Sequence, residues 1–217
     1  MNGARKLEDL EWVGGHPAID FVNTVHAWVG NEPGAEYLLD YEHLLRWHQM
    51  AGLIGKHSCR ALRRASTRDN ATALTMALEL RGALHDIFHS VAAGESLPQR
   101  ALDRLNDVIR KTVKWRRLLG AGREISCGWN FTDAPSDAIL GPVAWQAAEL
   151  LEHGELDRVK ECPSVDGCGW LFLDSSKNRS RTWCSMKACG NSAKVKRFRA
   201  RHEQAAPAGK RSPTSRR

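Results

Sequence analysis

Four of the chain's six cysteines stand within its last quarter, spaced Cys162-x5-Cys168-x15-Cys184-x4-Cys189. Two close-set pairs divided by a longer insert constrain the fold more than any other feature of the sequence. Thiolates are soft ligands, and four at tetrahedral corners hold Zn2+ with no position left for water. Each pair can close as a tight turn with backbone amides facing the sulfurs, for which Pro163, Gly169 and Gly190 supply the turn chemistry. Trp170-Leu-Phe-Leu-Asp174 and Ser180-Arg-Thr-Trp-Cys184 read as the two strands of a hairpin joined by residues 175–179. Beyond the second pair, Ala193 and Phe198, with Met186, give a sparse apolar face to a helix running to about Arg201. The expected unit is a treble-clef-like zinc module whose structural metal supplies most of its folding free energy, on the order of 10–16 kcal/mol. Metal-free thiols, an iron–sulfur cluster and a catalytic zinc are the alternatives. The hairpin-and-helix layout favours zinc over a cluster, and a closed shell of four thiolates argues against an enzyme.

Charge divides the chain at the same place. Residues 158–217 carry 15 basic and 4 acidic side chains, a net of +11 against +7 for all 217 residues, so the remainder carries −4. A mildly acidic body with a strongly basic end is the pattern of a protein that meets a polyanion. No run of about 18 apolar residues exists and Met1–Leu10 lacks the apolar stretch of a secretory signal, so the expected location is the cytoplasm, away from membranes. Clustered thiols in a reducing compartment again point to metal rather than disulfides.

The rest of the chain is patterned mainly for helices. Residues 18–25 mix β-branched residues with Asp20 and Asn23 and fit a short strand or a helical turn. Asp40 is placed to cap a helix carrying Leu44, Leu45 and Trp47. Leu74, Ala77, Leu78, Leu84, Ile87, Phe88 and Val91 recur at steps of three and four, closed by Gly94. Ser96-Leu-Pro-Gln99 has capping-box form and opens a helix ending by Gly120. Residues 123–132 look like a hairpin arm, and Ser136 is placed to cap a last helix reaching Gly154. The fold class expected is α+β, mainly α, with a helical domain over residues 1–156, a four-cysteine zinc finger over 157–203, and a disordered basic tail over 204–217.

Candidate contacts follow from the same residues. Lys194, Lys196, Arg197, Arg199 and Arg201 fall within about two helical turns, with Arg179 and Arg181 on the expected hairpin. Lys194, Arg197 and Arg201 share one side, spaced to face phosphates or a DNA groove. The bland alternative is a solvated basic surface, and RNA is a variant of the polyanion. Trp170 and Trp183 can stack on bases, although beside the ligands they serve better as the module's own core. Asp20, Asn23 and His26 recur every third residue and are candidate ligand-binding residues for a small effector; the competing reading is that Asp and Asn fix local backbone. His85 and His89 form an i, i+4 pair without the glutamate of a zinc-protease motif, and a partly exposed pair with no metal is the favoured reading. Cys59 and Cys127 read as plain buried thiols, with redox sensing the alternative if they are exposed beside basic neighbours such as Arg60, Arg63 and Arg64.

Cys184-Ser-Met-Lys-Ala-Cys-Gly-Asn-Ser192, preceded by Trp170-Leu-Phe-Leu-Asp174 and Arg181-Thr-Trp183, resembles the zinc finger of the CGNR family. His16-Pro-Ala-Ile-Asp-Phe-Val-Asn-Thr24 is similar to the opening of its partner domain, called ABATE. The two resemblances cover nearly the whole chain apart from the tail. They imply a bacterial transcription regulator with a sensing N-terminal domain and a DNA-binding finger. One departure is that the arginine ending the family's motif is Ser192 here, leaving Lys194, Arg197 or Arg199 to take over its contacts. The expected function is therefore DNA binding in transcription regulation, gated by a ligand or stress signal, with no catalytic residues. A homodimer would match paired half-sites. The alternative is a zinc-stabilised RNA- or protein-interaction module and, behind it, a zinc-dependent enzyme.

Overall fold

The structure, a computed structural model, describes residues 4–29, 31–64, 67–163 and 167–205. Within them the chain is α+β and mainly α, with seven helices and three two-stranded antiparallel sheets. Pro17, its φ preset for a first helical turn, opens α1 (Pro17–Val22), so the ambiguous N-terminal motif is helical. Beyond it lie the short strands β1 (Trp28–Val29) and β2 (Glu32–Pro33). Asp40 caps α2 (Tyr41–Met50) as expected, its carboxylate accepting the His43 N–H at 2.8 Å. After α3 (Lys56–Leu62) comes α4 (Thr67–Ala93), about 40 Å long at 1.5 Å per residue and ended by Gly94 at φ 69°. Ala73, Ala77, Leu80, Leu84, Ile87 and Phe88 bury its inner stripe, and α1, α2, α5 (Gln99–Thr112) and α6 (Leu140–His153) pack around it.

Two local expectations come out differently. Ser96 does not cap α5: the helix starts after Pro98, with no side-chain cap, and the Gln99 amide donates to Asp103 instead. The proline holds the preceding residue extended and so moves the start past the serine's reach. Ser136 does not cap α6 either, since its hydroxyl donates to Asn70 of α4 at 2.7 Å and a 3-10 turn precedes the helix. Finally, α5 ends at Thr112, before Gly120 as expected, and leaves room for a strand that the sequence did not suggest. The following residues form β3 (Arg116–Ala121), the partner that β4 (Glu124–Trp129) needs for its backbone groups. That hairpin stands in solvent, with Leu118 and Ile125 exposed at its outer end.

The cysteine region is seated on this body and shares its core. Its sheet is β5 (Val159–Glu161) paired with β6 (Leu171–Leu173), whose loop carries Cys162 and Cys168. The expected partner strand over residues 180–184 does not form. Asp174 is fully buried, and its carboxylate accepts the N–H groups of Ser176 and Arg181 and the ammonium of Lys160. These bonds wrap residues 174–181 around one carboxylate, leaving no extended strand to pair. The last helix, α7 (Asn191–Ala205), takes in the first two residues of the expected tail; the rest of that tail, 206–217, lies outside the described residues. Among the described residues no helix is long and apolar enough to cross a membrane.

Candidate metal centre and basic helix

Cys162, Cys168, Cys184 and Cys189 come together with all four sulfurs within 4.8 Å of one another. The Cys168–Cys184 and Cys184–Cys189 separations are 3.6 Å, against about 3.8 Å between corners of a tetrahedron with 2.3 Å Zn–S bonds. Backbone N–H groups of Cys184 and Trp170 face the sulfurs of Cys162 and Cys168, as turn-borne ligands require. Without a cation, hydrogen bonds from Cys168 and Cys184 push the Cys162 thiol down, and giving those bonds pushes the two donors up. Burial pushes Cys189 up as well. One thiolate suppresses the next, so a dication is what lets all four ionise together. The donor set and spacing fit a structural zinc ion, and no other group of three or more ligand side chains gathers among the described residues.

Trp28 braces the loop of the first pair. Its N–H donates to the Cys168 carbonyl at 2.8 Å, and its own carbonyl lies 2.4 Å from where a Cβ on residue 169 would sit. Gly169, at φ 60°, is thus required both by backbone conformation and by close approach. On its far side the Trp28 ring stacks on His85 at 3.7 Å. His85 is buried and neutral, pushed down to about 4 by burial and by His89, while His89 bonds Glu161 of β5 at 2.5 Å. The histidine pair is therefore packing between body and finger, and His85 is not exposed at all.

The N-terminal motif is the other half of the seat. Asn23 is 0% exposed; its amide donates to the Leu171 carbonyl at 2.8 Å and its oxygen accepts the Leu171 N–H at 3.1 Å. Asp20 accepts the Gly14 N–H at 2.8 Å, and burial pushes its pKa up to about 6 against that bond and the charge of Arg181. Both take the backbone-fixing role, whereas His26 is exposed. The indole N–H of Trp170 donates to Val25, so this ring is core, as its position beside a ligand suggests. No sequence signal revealed the partners of Asn23 and Trp170, because these bonds join residues 148 and 145 positions apart.

The basic residues divide sharply. Arg181 is an internal strut: its guanidinium lies 4.4 Å over the Phe172 ring and donates to the carbonyls of Val13, Leu173, Trp183 and Cys184. Arg179 pairs with Asp157. Among the described side chains of α7 only Ala193 is buried, and Lys194, Lys196, Arg197, Arg199 and Arg201 are exposed. At 100° per residue, Lys194, Arg197 and Arg201 form one row and Lys196 and Arg199 another. Between them run Val195 and Phe198, 48% and 63% exposed. The sparse apolar face expected from Ala193, Phe198 and Met186 does not form: Ala193 is buried, whereas Phe198, whose ring lies 4.2 Å from that of His202, and Met186 are exposed.

Residues 15–154 match the family described as ABATE, putative stress-induced transcription regulator, and residues 158–202 match the CGNR zinc finger. Among curated proteins none matches the chain significantly.

Proposed function

Since the chain belongs to the ABATE family and carries a CGNR zinc finger, we propose that it is a cytoplasmic DNA-binding transcription regulator. The observation that carries this reading is α7: a helix pinned at its start by two zinc ligands, with two basic rows flanking an exposed apolar strip. Such a helix suits the major groove, where the rows reach phosphates and Val195 and Phe198 meet thymine methyl groups. The acidic body at −4 keeps the rest of the molecule off the same polyanion. We place the boundary between a sensing body, residues 1–156, and the finger, residues 157–203, where the charge changes sign. The cysteines hold metal and the basic helix binds; neither assignment calls for a catalytic group.

The test is fluorescence anisotropy of the zinc-loaded protein on random duplex DNA, single strands and structured RNA across a salt series. Tight duplex binding with a steep fall in log K against log salt is expected. Changing Arg197→Glu and Arg201→Glu together should weaken binding and flatten the slope by about 0.9 per lost phosphate contact, with zinc retained. Undiminished affinity would remove α7 from the interface. Preference for structured RNA, or weak sequence-blind binding, would replace this reading with the RNA or protein-interaction alternative.

A further inference from the structure

A cavity of about 430 Å3 opens between the N-terminal segment, Tyr37 and the turn that leads into α7, within the roughly 300–1,000 Å3 typical of ligand pockets. Arg5, Asp9 and Glu11 border it on one side and Trp170 and the small side chain of Ser192 on the other, while Cys168, Cys184 and Cys189 form the end that adjoins the metal site. Tyr37, which lines the cavity, is only 3% exposed, yet among the described residues its phenol meets no hydrogen-bonding partner. Arg5, Asp9 and Glu11 form no ion pairs among the described residues. All three are exposed at the border of the cavity and lie near enough to act on the Tyr37 phenol, whose pKa burial raises. Trp170 has already given its indole N–H to Val25 and offers only its ring.

We propose that this cavity is a binding site for a free amino acid. A zwitterion brings a counter-charge for each sign on the wall. Its carboxylate meets Arg5, its ammonium meets Asp9 and Glu11, the Tyr37 hydroxyl bonds the carboxylate, and the side chain lies against Trp170. A charged partner at each end is worth more than a neutral one, so an amino acid fits where a simple amine or acid fills half the site. The floor of the cavity is the zinc-binding turn from Ser185 to Ser192, so the ligand joins the N-terminal segment to the root of α7. Control of DNA binding by this ligand rests on the function proposed above; binding itself does not.

Calorimetry and thermal melting of the zinc-loaded full chain, without DNA, test the site separately from that function. The protein amino acids are offered singly at millimolar concentration, and zinc retention is checked with a colorimetric chelator. At least one should bind and raise the melting temperature. Its carboxamide and N-acetyl forms should bind about tenfold more weakly or worse. In Arg5→Gln the difference between acid and carboxamide should vanish, and in Asp9→Asn with Glu11→Gln that between the amine and its acetylated form. Tyr37→Phe, which keeps the ring packing, should weaken binding several-fold. No binding by any amino acid overturns the proposal, and so does binding that these exposed-residue variants leave unchanged.

Discussion

Asn23 gives Leu171 the donor and acceptor that a neighbouring strand would supply, and it does so in full burial. Asn23→Ala removes both at once and strands two buried backbone groups, which costs roughly 2–4 kcal/mol. Urea melts should show that loss with zinc still bound; a loss under about 0.5 kcal/mol would mean water takes the amide's place. Asp20 is a second measurable residue. Its folded pKa of about 6 lies above the ordinary carboxyl value, so between the two the folded chain holds a proton that the unfolded chain has released. Asp20 therefore contributes most below the ordinary value, and stability declines as pH rises through 6. Asp20→Asn keeps an acceptor for the Gly14 N–H and removes the titration. It should match the parent near pH 3 and gain on the order of 1–2 kcal/mol by pH 7. A stability difference that does not change with pH would contradict the buried-carboxyl account.

Among the elements, the β5–β6 loop decides whether zinc can be held. Gly169 carries a positive φ beneath the Trp28 carbonyl, and no side chain fits there without moving Cys168. Gly169→Ala should lower zinc affinity by about 10–100-fold, the scale seen when support around a ligand is disturbed. Competition with a colorimetric chelator measures this directly, and unchanged affinity would show that the loop can yield. The α7 helix makes the opposite case. It is fixed at one end by the metal centre and buries little besides Ala193, so exposed charge reversals on it act on binding rather than folding. That separation is what makes the Arg197 and Arg201 variants a clean probe.

At the scale of the molecule, zinc supports both sides of the seat. Chelation at neutral pH should unfold the finger first, since the metal supplies about 10–16 kcal/mol to a unit with little core of its own. The α1 segment then loses Leu171 and Trp170 as partners, while α2, α4, α5 and α6 keep their mutual packing. Circular dichroism should record a partial loss of helix, followed on heating by a separate transition of the body. Cys184→Ser should behave like the chelated protein. A single global collapse would mean that body and finger fold only as one unit.

Much of this protein is legible in the sequence because it depends on local period or on ligand chemistry. The 3–4 stripe of α4, the Asp40 cap, the four-thiolate set and the α7 basic rows each need only neighbours or the softness of sulfur. Tertiary structure decided which of several similar residues is used and for what. Arg181 and Arg197 look alike as letters, yet one spends its donors on four carbonyls inside the seat and the other stands in solvent on α7. The strand partner of β6 and the distant backbone partner of Asn23 were equally out of reach. Every buried backbone group must find a partner, and the partner that satisfies it can come from any part of the chain that folding brings near.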